Sequence, residues 1–285
     1  MLIPGIIVVL IYAYGPMFGL VMAFEQFNPF KGFFRSKWIG LENFKYVFAM
    51  HDFTQALTNT LIISIFKVIL GIIAPLIMAL LINELMSKRF AKLVQSSLFL
   101  PYFISWAVLG GIFIELLSIH GPINELLGSI GIEPITFLLS NTWFRPVIVL
   151  TDTWKNLGYY MIVYLAAITS IDTSLYEAAE VDGAGRWKQA WHITIPGILP
   201  MIILTTTLSI GQLLNSANFE QIYMLYNPAI YQTGDIIDTL VFRMGINNLQ
   251  YAPAAVIGFF KSTVSFFLVT VSYYCAYKFS DYRIF

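Results

Sequence analysis

Few groups in this chain are set out for bond-breaking. The histidines His51, His120 and His192 are far apart and lack ligand spacing, and the lone cysteine, Cys275, excludes an internal disulfide and a cysteine-based zinc site. No H-E-x-x-H, G-x-S-x-G or G-x-x-x-x-G-K-[ST] pattern occurs, so the residues for metalloprotease, serine-hydrolase or nucleotide-phosphate chemistry are missing. What the sequence offers is suited to holding a ligand and transmitting movement. Gln212, Asn215 and Asn218 stand at i, i+3, i+6, which predicts three amides on one helical stripe, with Glu220 just beyond. Amides bring donors and acceptors together, as sugar hydroxyls require, and Trp154, Tyr159 and Tyr160 could cover an apolar ring face. A structural reading stands beside this one: amides bond across helix pairs in membranes, and interior aromatics pack. Both stay open for the amides, and packing is favoured for Trp154.

The second notable feature is a polar segment, residues 175–200, LYEAAEVDGAGRWKQAWHITIPGILP. Tyr176 to Val181 holds good helix formers, with Glu177, Ala178, Ala179 and Glu180 in one turn, and Asp172, Thr173 and Ser174 are N-cap types before it. Asp182-Gly183-Ala184-Gly185 then breaks the helix, glycine allowing a positive φ and a close backbone approach. Arg186 to His192 resumes a short amphipathic helix with Trp187 and Trp191 four apart, and Pro196 and Pro200 mark its end. The pattern predicts two short helices joined by a tight glycine turn, a knob able to enter a cleft on another protein. An ordinary interfacial loop held by two tryptophans is the simpler alternative.

These features need a membrane to position them. The 285 residues are 58% hydrophobic and only 11% charged, against roughly 25% charged in soluble domains. Six stretches have the length and apolarity of a span: 1–24, 57–82, 93–118, 146–171, 197–219 and 252–277. The first is uncharged and too long for a signal-peptide core, so it reads as a retained span. Within spans, Asp152 and Lys155 at i, i+3 are expected to neutralise each other, while Lys67, Glu115 and Lys261 snorkel or face a partner subunit. Net charge is zero, which argues against nucleic acid. The domain reading is 1–56, a first span with an extracytoplasmic amphipathic segment; 57–277, the transmembrane domain with its loop at 172–196; and 278–285, a short cytoplasmic tail.

Charge alone barely orients the chain. With the N-terminus inside, Lys88, Arg89, Lys92, Arg186, Lys188, Lys278 and Arg283 are cytoplasmic, against Lys31, Arg35, Lys37, Lys45, Arg145 and Arg243 outside. The 25–56 segment mixes these bases with Phe27, Phe30, Phe33, Phe34, Trp38, Phe44 and Tyr46, a composition suited to the outer headgroups or, alternatively, to a contact with another protein.

The 172–196 loop resembles the EAA loop of binding-protein-dependent ABC importers: Glu177-Ala178-Ala179, Gly183 six residues after Glu177, then Ile193-x-Ile195-Pro196. Ile195 stands for the usual leucine and Trp191 for a common phenylalanine, both apolar. The resemblance extends over most of the chain, to the sugar-permease branch. Leu100-Pro101, Gly121-Pro122-Ile123-Asn124, Trp154, Gly158 and Leu165-Ala166 match it, and Tyr14 to Gly19, Asn28 to Gly32 and Trp38 to Phe44 look like permeases for oligosaccharides and polysaccharide fragments.

What this implies is an all-α membrane protein of about six transmembrane helices in the type I importer fold, with a cytoplasmic coupling helix between spans four and five. It implies a non-catalytic half-pore in the cytoplasmic membrane with both termini inside. The implied partners are a second, non-identical permease, two ATPase subunits that bind ATP and magnesium, an extracytoplasmic solute-binding protein and an oligosaccharide; no cofactor is expected in this chain. The resemblance also sets the orientation, because the loop must meet a cytoplasmic ATPase. Its coupling residues would be Tyr176, Glu177, Ala178, Ala179, Asp182, Gly183, Ala184, Ile193 and Pro196, with Glu177 facing a basic residue of the ATPase. A gradient-driven secondary transporter is the main rival; it would leave the 172–196 loop unexplained, and no inverted repeat is visible.

Overall fold

The computed structural model describes residues 2–215 and 217–280, so most of the 278–285 tail lies outside the described residues. Among those described, three continuous helices are long and apolar enough to cross a bilayer: Ile3–Phe24, His51–Asn83 and Tyr251–Tyr274. Two bent pairs meet the same test: Lys88–Phe103 with Trp106–Leu116, and Arg186–Gly197 with Leu199–Gly211. The third predicted span is therefore not one straight rod. Its two halves meet at 104°, where Pro101 lacks an amide hydrogen and Ser105 caps a new helix by accepting from the Val108 N–H. The fourth span is the helix Phe144–Thr169, about 39 Å long at 1.5 Å per residue. Arg145, Asp152 and Lys155 keep it from being plainly apolar, and its neighbours cover it: Phe144, Ile148, Met161 and Tyr164 are wholly buried.

This helix pairs most extensively with His51–Asn83. It also crosses Lys88–Phe99 in backbone contact, since a Cβ on Gly158 would stand 2.2 Å from the Leu98 carbonyl oxygen. Small residues at such crossings let membrane helices approach without bulk between them. Polar side chains join neighbouring spans: the hydroxyls of Tyr164 and Thr205 lie 2.9 Å apart, and Ser272 Oγ donates to the Thr207 carbonyl at 2.8 Å.

The surface is inverted relative to a water-soluble protein. On His51–Asn83 the exposed ridge is Ile65, Ile69, Ile73 and Ile77, spaced four apart, while Asn59, Thr60, Ser64 and Lys67 are buried. A patch of this kind belongs against lipid or another subunit.

A two-stranded pairing of Glu25–Gln26 with Lys37–Trp38 and the helix Glu42–Ala49 fold the 25–56 segment onto the last helix. Phe24 stacks on Trp38 at 5.5 Å and meets Phe259 edge-on at 6.2 Å. The loop 119–143 is tied by Asn124, whose amide donates to the Ser118 and Ile135 carbonyls and accepts from the Ile135 N–H. Gly121 is needed there, because a Cβ would stand 2.4 Å from the Glu115 carbonyl oxygen.

Candidate functional site

The helix of the fifth span, Leu199–Gly211, stops before the amides it was expected to carry. Residues 212–215 and 217 form turns, and Asn218 takes φ 60 and ψ 94 before a separate helix, Phe219–Leu225. The i, i+3, i+6 stripe is thus corrected: Gln212, Asn215 and Asn218 sit on a broken segment. Asparagine tolerates the left-handed region better than other residues with a Cβ, and the Asn218 side chain caps the next helix by accepting from the Gln221 N–H at 3.3 Å.

The break is anchored by a buried polar cluster that sequence reasoning missed. Gln221 is wholly buried, its amide donating to the Ile148 carbonyl at 2.8 Å and to Thr151 Oγ1 at 2.9 Å. Lys67, 4% exposed at the midpoint of His51–Asn83, donates to Gln221 Oε1 and to the Ala217 carbonyl at 3.0 Å, and pairs with Asp152 at 3.3 Å. The expected Asp152–Lys155 pair does not form. Lys155 donates instead to the Tyr102 carbonyl at 2.8 Å and lies against the Tyr102 and Trp106 rings, while Asp152 is taken by Lys67. Lys261 pairs within the chain too, reaching both oxygens of Asp238 at 2.6 and 2.8 Å. Glu115 is exposed.

Around this cluster opens a polar cavity of about 520 Å³. Gln212, Asn215 and Asn218 all line it, so the amides converge although no helix aligns them. The fourth span contributes Asp152, Asn156 and Tyr160, at i, i+4, i+8 on one face. Trp154 and Tyr159 are not among its lining residues, and for Trp154 this agrees with the packing reading. Tyr159 stacks on Tyr102 at 4.7 Å, and Trp154 meets Phe113 edge-on at 5.8 Å. One residue is about 100° of helix rotation. That is why Tyr160 faces the cavity and Tyr159 does not.

The 172–196 loop forms a second site. Asp172 caps the helix Thr173–Val181, accepting from the Ser174 N–H at 3.0 Å, and that bond lowers its carboxyl below the usual range. Gly183 ends the turn at φ +75, with the Ala184 N–H donating to the Ala179 carbonyl at 2.8 Å. A Cβ on Gly183 would meet nothing within 4 Å, so only the backbone conformation calls for glycine. The chain then runs through Arg186–Gln189 and one π-helical turn, Ala190–Thr194, to Pro196. The Tyr176 and Thr194 hydroxyls, 2.9 Å apart, join the two arms, and Gln189 Nε2 donates to the Ala184 carbonyl at 2.9 Å. Glu177, Ala178, Asp182 and Pro196 are exposed, and Ala179, Ala184 and Ile193 are partly covered. Val181 and Trp187 present apolar surface that nothing in the described residues covers, at 88% and 77% exposed.

A polar cavity among apolar helices, and an exposed two-armed loop tied by its own hydrogen bonds, are features that a membrane transport subunit requires. Residues 71–285 match the family described as binding-protein-dependent transport system inner membrane component, and this chain belongs to that family. Its members are non-catalytic permease subunits of ABC importers. Among its relatives is the protein LplB of Bacillus subtilis (strain 168), 39% identical over all of this chain and 90% of the relative. The polygalacturonan/rhamnogalacturonan transport system permease protein YteP of the same organism is also 39% identical, over all of this chain and 89% of the relative. The crystal structure of a bacterial ABC transporter involved in the import of the acidic polysaccharide alginate contains a chain that superposes with a TM-score of 0.90. That chain is 38% identical, covering 98% of this chain and 94% of its own length.

Proposed function

We propose that this chain forms half of the translocation pore of an importer for oligosaccharides or polysaccharide fragments, with uronate-bearing fragments the first to test. The observation that carries it is the convergence of Gln212, Asn215 and Asn218 on one polar cavity in a chain of this family. Donors and acceptors that are fixed but uncharged fit many hydroxyls without requiring one stereochemistry. Support for the substrate class comes from a relative described as a polygalacturonan/rhamnogalacturonan transport system permease and from a second solved structure, an alginate ABC transporter in complex with an alginate pentasaccharide-bound periplasmic protein.

The pore's other half is a second, non-identical permease. Two ATPase subunits hold ATP and magnesium and dock from the cytoplasm, where both termini lie, and a solute-binding protein delivers sugar from outside. The docking residues on this chain are Tyr176, Glu177, Ala178, Ala179, Asp182, Gly183, Ala184, Ile193 and Pro196. Exposed Val181 and Trp187 lie beside them and supply an apolar rim. The 25–56 segment lies at the outer headgroups, presenting Phe30 and Phe34, both fully exposed, among Lys31, Arg35 and Lys37.

Glu177→Ala tests the coupling assignment. Truncating one partner of a desolvated interface ion pair costs about 2–5 kcal/mol. The variant should lose most binding-protein-stimulated ATP hydrolysis by the assembled complex; unchanged stimulation would remove Glu177 from the interface.

A further inference from the structure

We infer that Lys67 is the positioning residue of the cavity wall: its ammonium, not the local sequence, imposes the break after Gly211 and aims Asn215 and Asn218 into the cavity. This rests on the reading of the cavity as the sugar path.

The geometry is that of a saturated donor. An ammonium has three N–H bonds, and Lys67 has three acceptors, on Asp152, Gln221 and the backbone at Ala217. These belong to the fourth span and to the two sides of Asn218, so one atom joins the second span, the fourth span and the turn. A lysine at the midpoint of a span is expensive to bury and persists where its partners hold it. Lys67 itself borders the cavity, but its three N–H bonds are directed at these protein acceptors. Local preference does not specify the break: residues 212–218 carry a helix-compatible pattern that by itself predicts an unbroken fifth span. Yet Asn218 adopts φ 60, and its neighbours Ala217 and Gln221 are the groups that Lys67 grips. Without the ammonium, Gln221 keeps its bonds to the fourth span, but the Ala217 carbonyl is released and the turn can move.

The test uses the whole complex, with ATPases and binding protein, in lipid. The reporter is Asn215→Cys in a Cys275→Ser background, labelled by a membrane-impermeant methanethiosulfonate with the complex resting or trapped with ATP and vanadate. In this parent, trapping should change the labelling rate of residue 215, because a pore wall alternates its access. Lys67→Met alone leaves Asp152 without its counter-charge, so the decisive variant is Lys67→Met with Asp152→Asn, which keeps the charge balanced. It should assemble, label about tenfold faster at rest, the scale for losing one buried charge-assisted contact, and lose the response to trapping. If the parent responds and the double variant labels just as the parent does, Lys67 is only a structural charge and the inference fails. If the parent does not respond to trapping, the turn is not pore wall and the path reading fails first.

Discussion

The hydroxyls of Tyr176 and Thr194 lie 2.9 Å apart, joining the first helix of the 172–196 loop to the turn that leads into the fifth span. Eighteen residues separate them in sequence, so this bond helps make two short helices into one body that can pass movement on. Tyr176→Phe removes it, weakening the loop by about 1 kcal/mol. ATP hydrolysis should persist while sugar imported per ATP falls. Thr194→Val removes that bond too, along with a longer one to the Gln189 carbonyl, and the double variant should be no worse than Thr194→Val alone, because the Tyr176–Thr194 contact is shared.

Gly183 is required for its φ of +75 and not for space. Gly183→Ala should therefore cost about 1–2 kcal/mol at the turn and lower the amount of ATPase that copurifies. Gly183→Asn should be milder, since asparagine tolerates that region. Equal recovery of ATPase with alanine and glycine would show that the turn's conformation does not matter for docking.

Asn215 and Asn218 line the same cavity but carry different structural duties. Asn218 holds a positive φ and caps Phe219–Leu225, whereas Asn215 lies in the turn before it. Asn218→Ala should lower the unfolding midpoint in detergent, with about 0.5–2 kcal/mol from the cap alone. Asn215→Ala should leave the midpoint in place and alter transport. Asn218→Gly, which relieves the backbone, should recover part of the lost stability.

Phe30 and Phe34 stand out from a loop fixed by hydrogen bonds of Asn28 to the Phe30 N–H and of Ser36 to the Gly32 carbonyl. Tryptophan placed at either position should be quenched by lipids brominated near the headgroup, with little change when binding protein is added. Quenching by binding protein and not by lipid would make this loop a protein contact.

The loop was legible in the sequence because its signals are local: a capping aspartate, a run of helix formers, a glycine where φ turns positive, prolines at the far end. The cavity was half legible. Its amides were visible at Gln212, Asn215 and Asn218, but asparagine serves a helix, a cap and a left-handed turn alike, so the break at Asn218 left no distinct mark. Spacing alone pairs Asp152 with Lys155, its neighbour on the helix, whereas the structure pairs it with Lys67, 85 positions earlier. Distant pairings of this kind depend on how helices pack, which a single sequence does not print. Tyr159 and Tyr160 differ only in which flank of a helix they occupy, again a packing property. The 104° bend of the third span had its cue in Pro101 and Ser105, and apolarity alone masked it.

The central claim is that this chain couples a partner's ATP hydrolysis to sugar import. The most direct measurement is ATP hydrolysis by the complex purified through this chain, reconstituted in lipid, with binding protein and a panel of neutral and uronate oligosaccharides. Hydrolysis stimulated only by loaded binding protein, and by one class of glycan above the others, is the expected result. A preparation in which no ATPase copurifies and no hydrolysis responds to binding protein would contradict it.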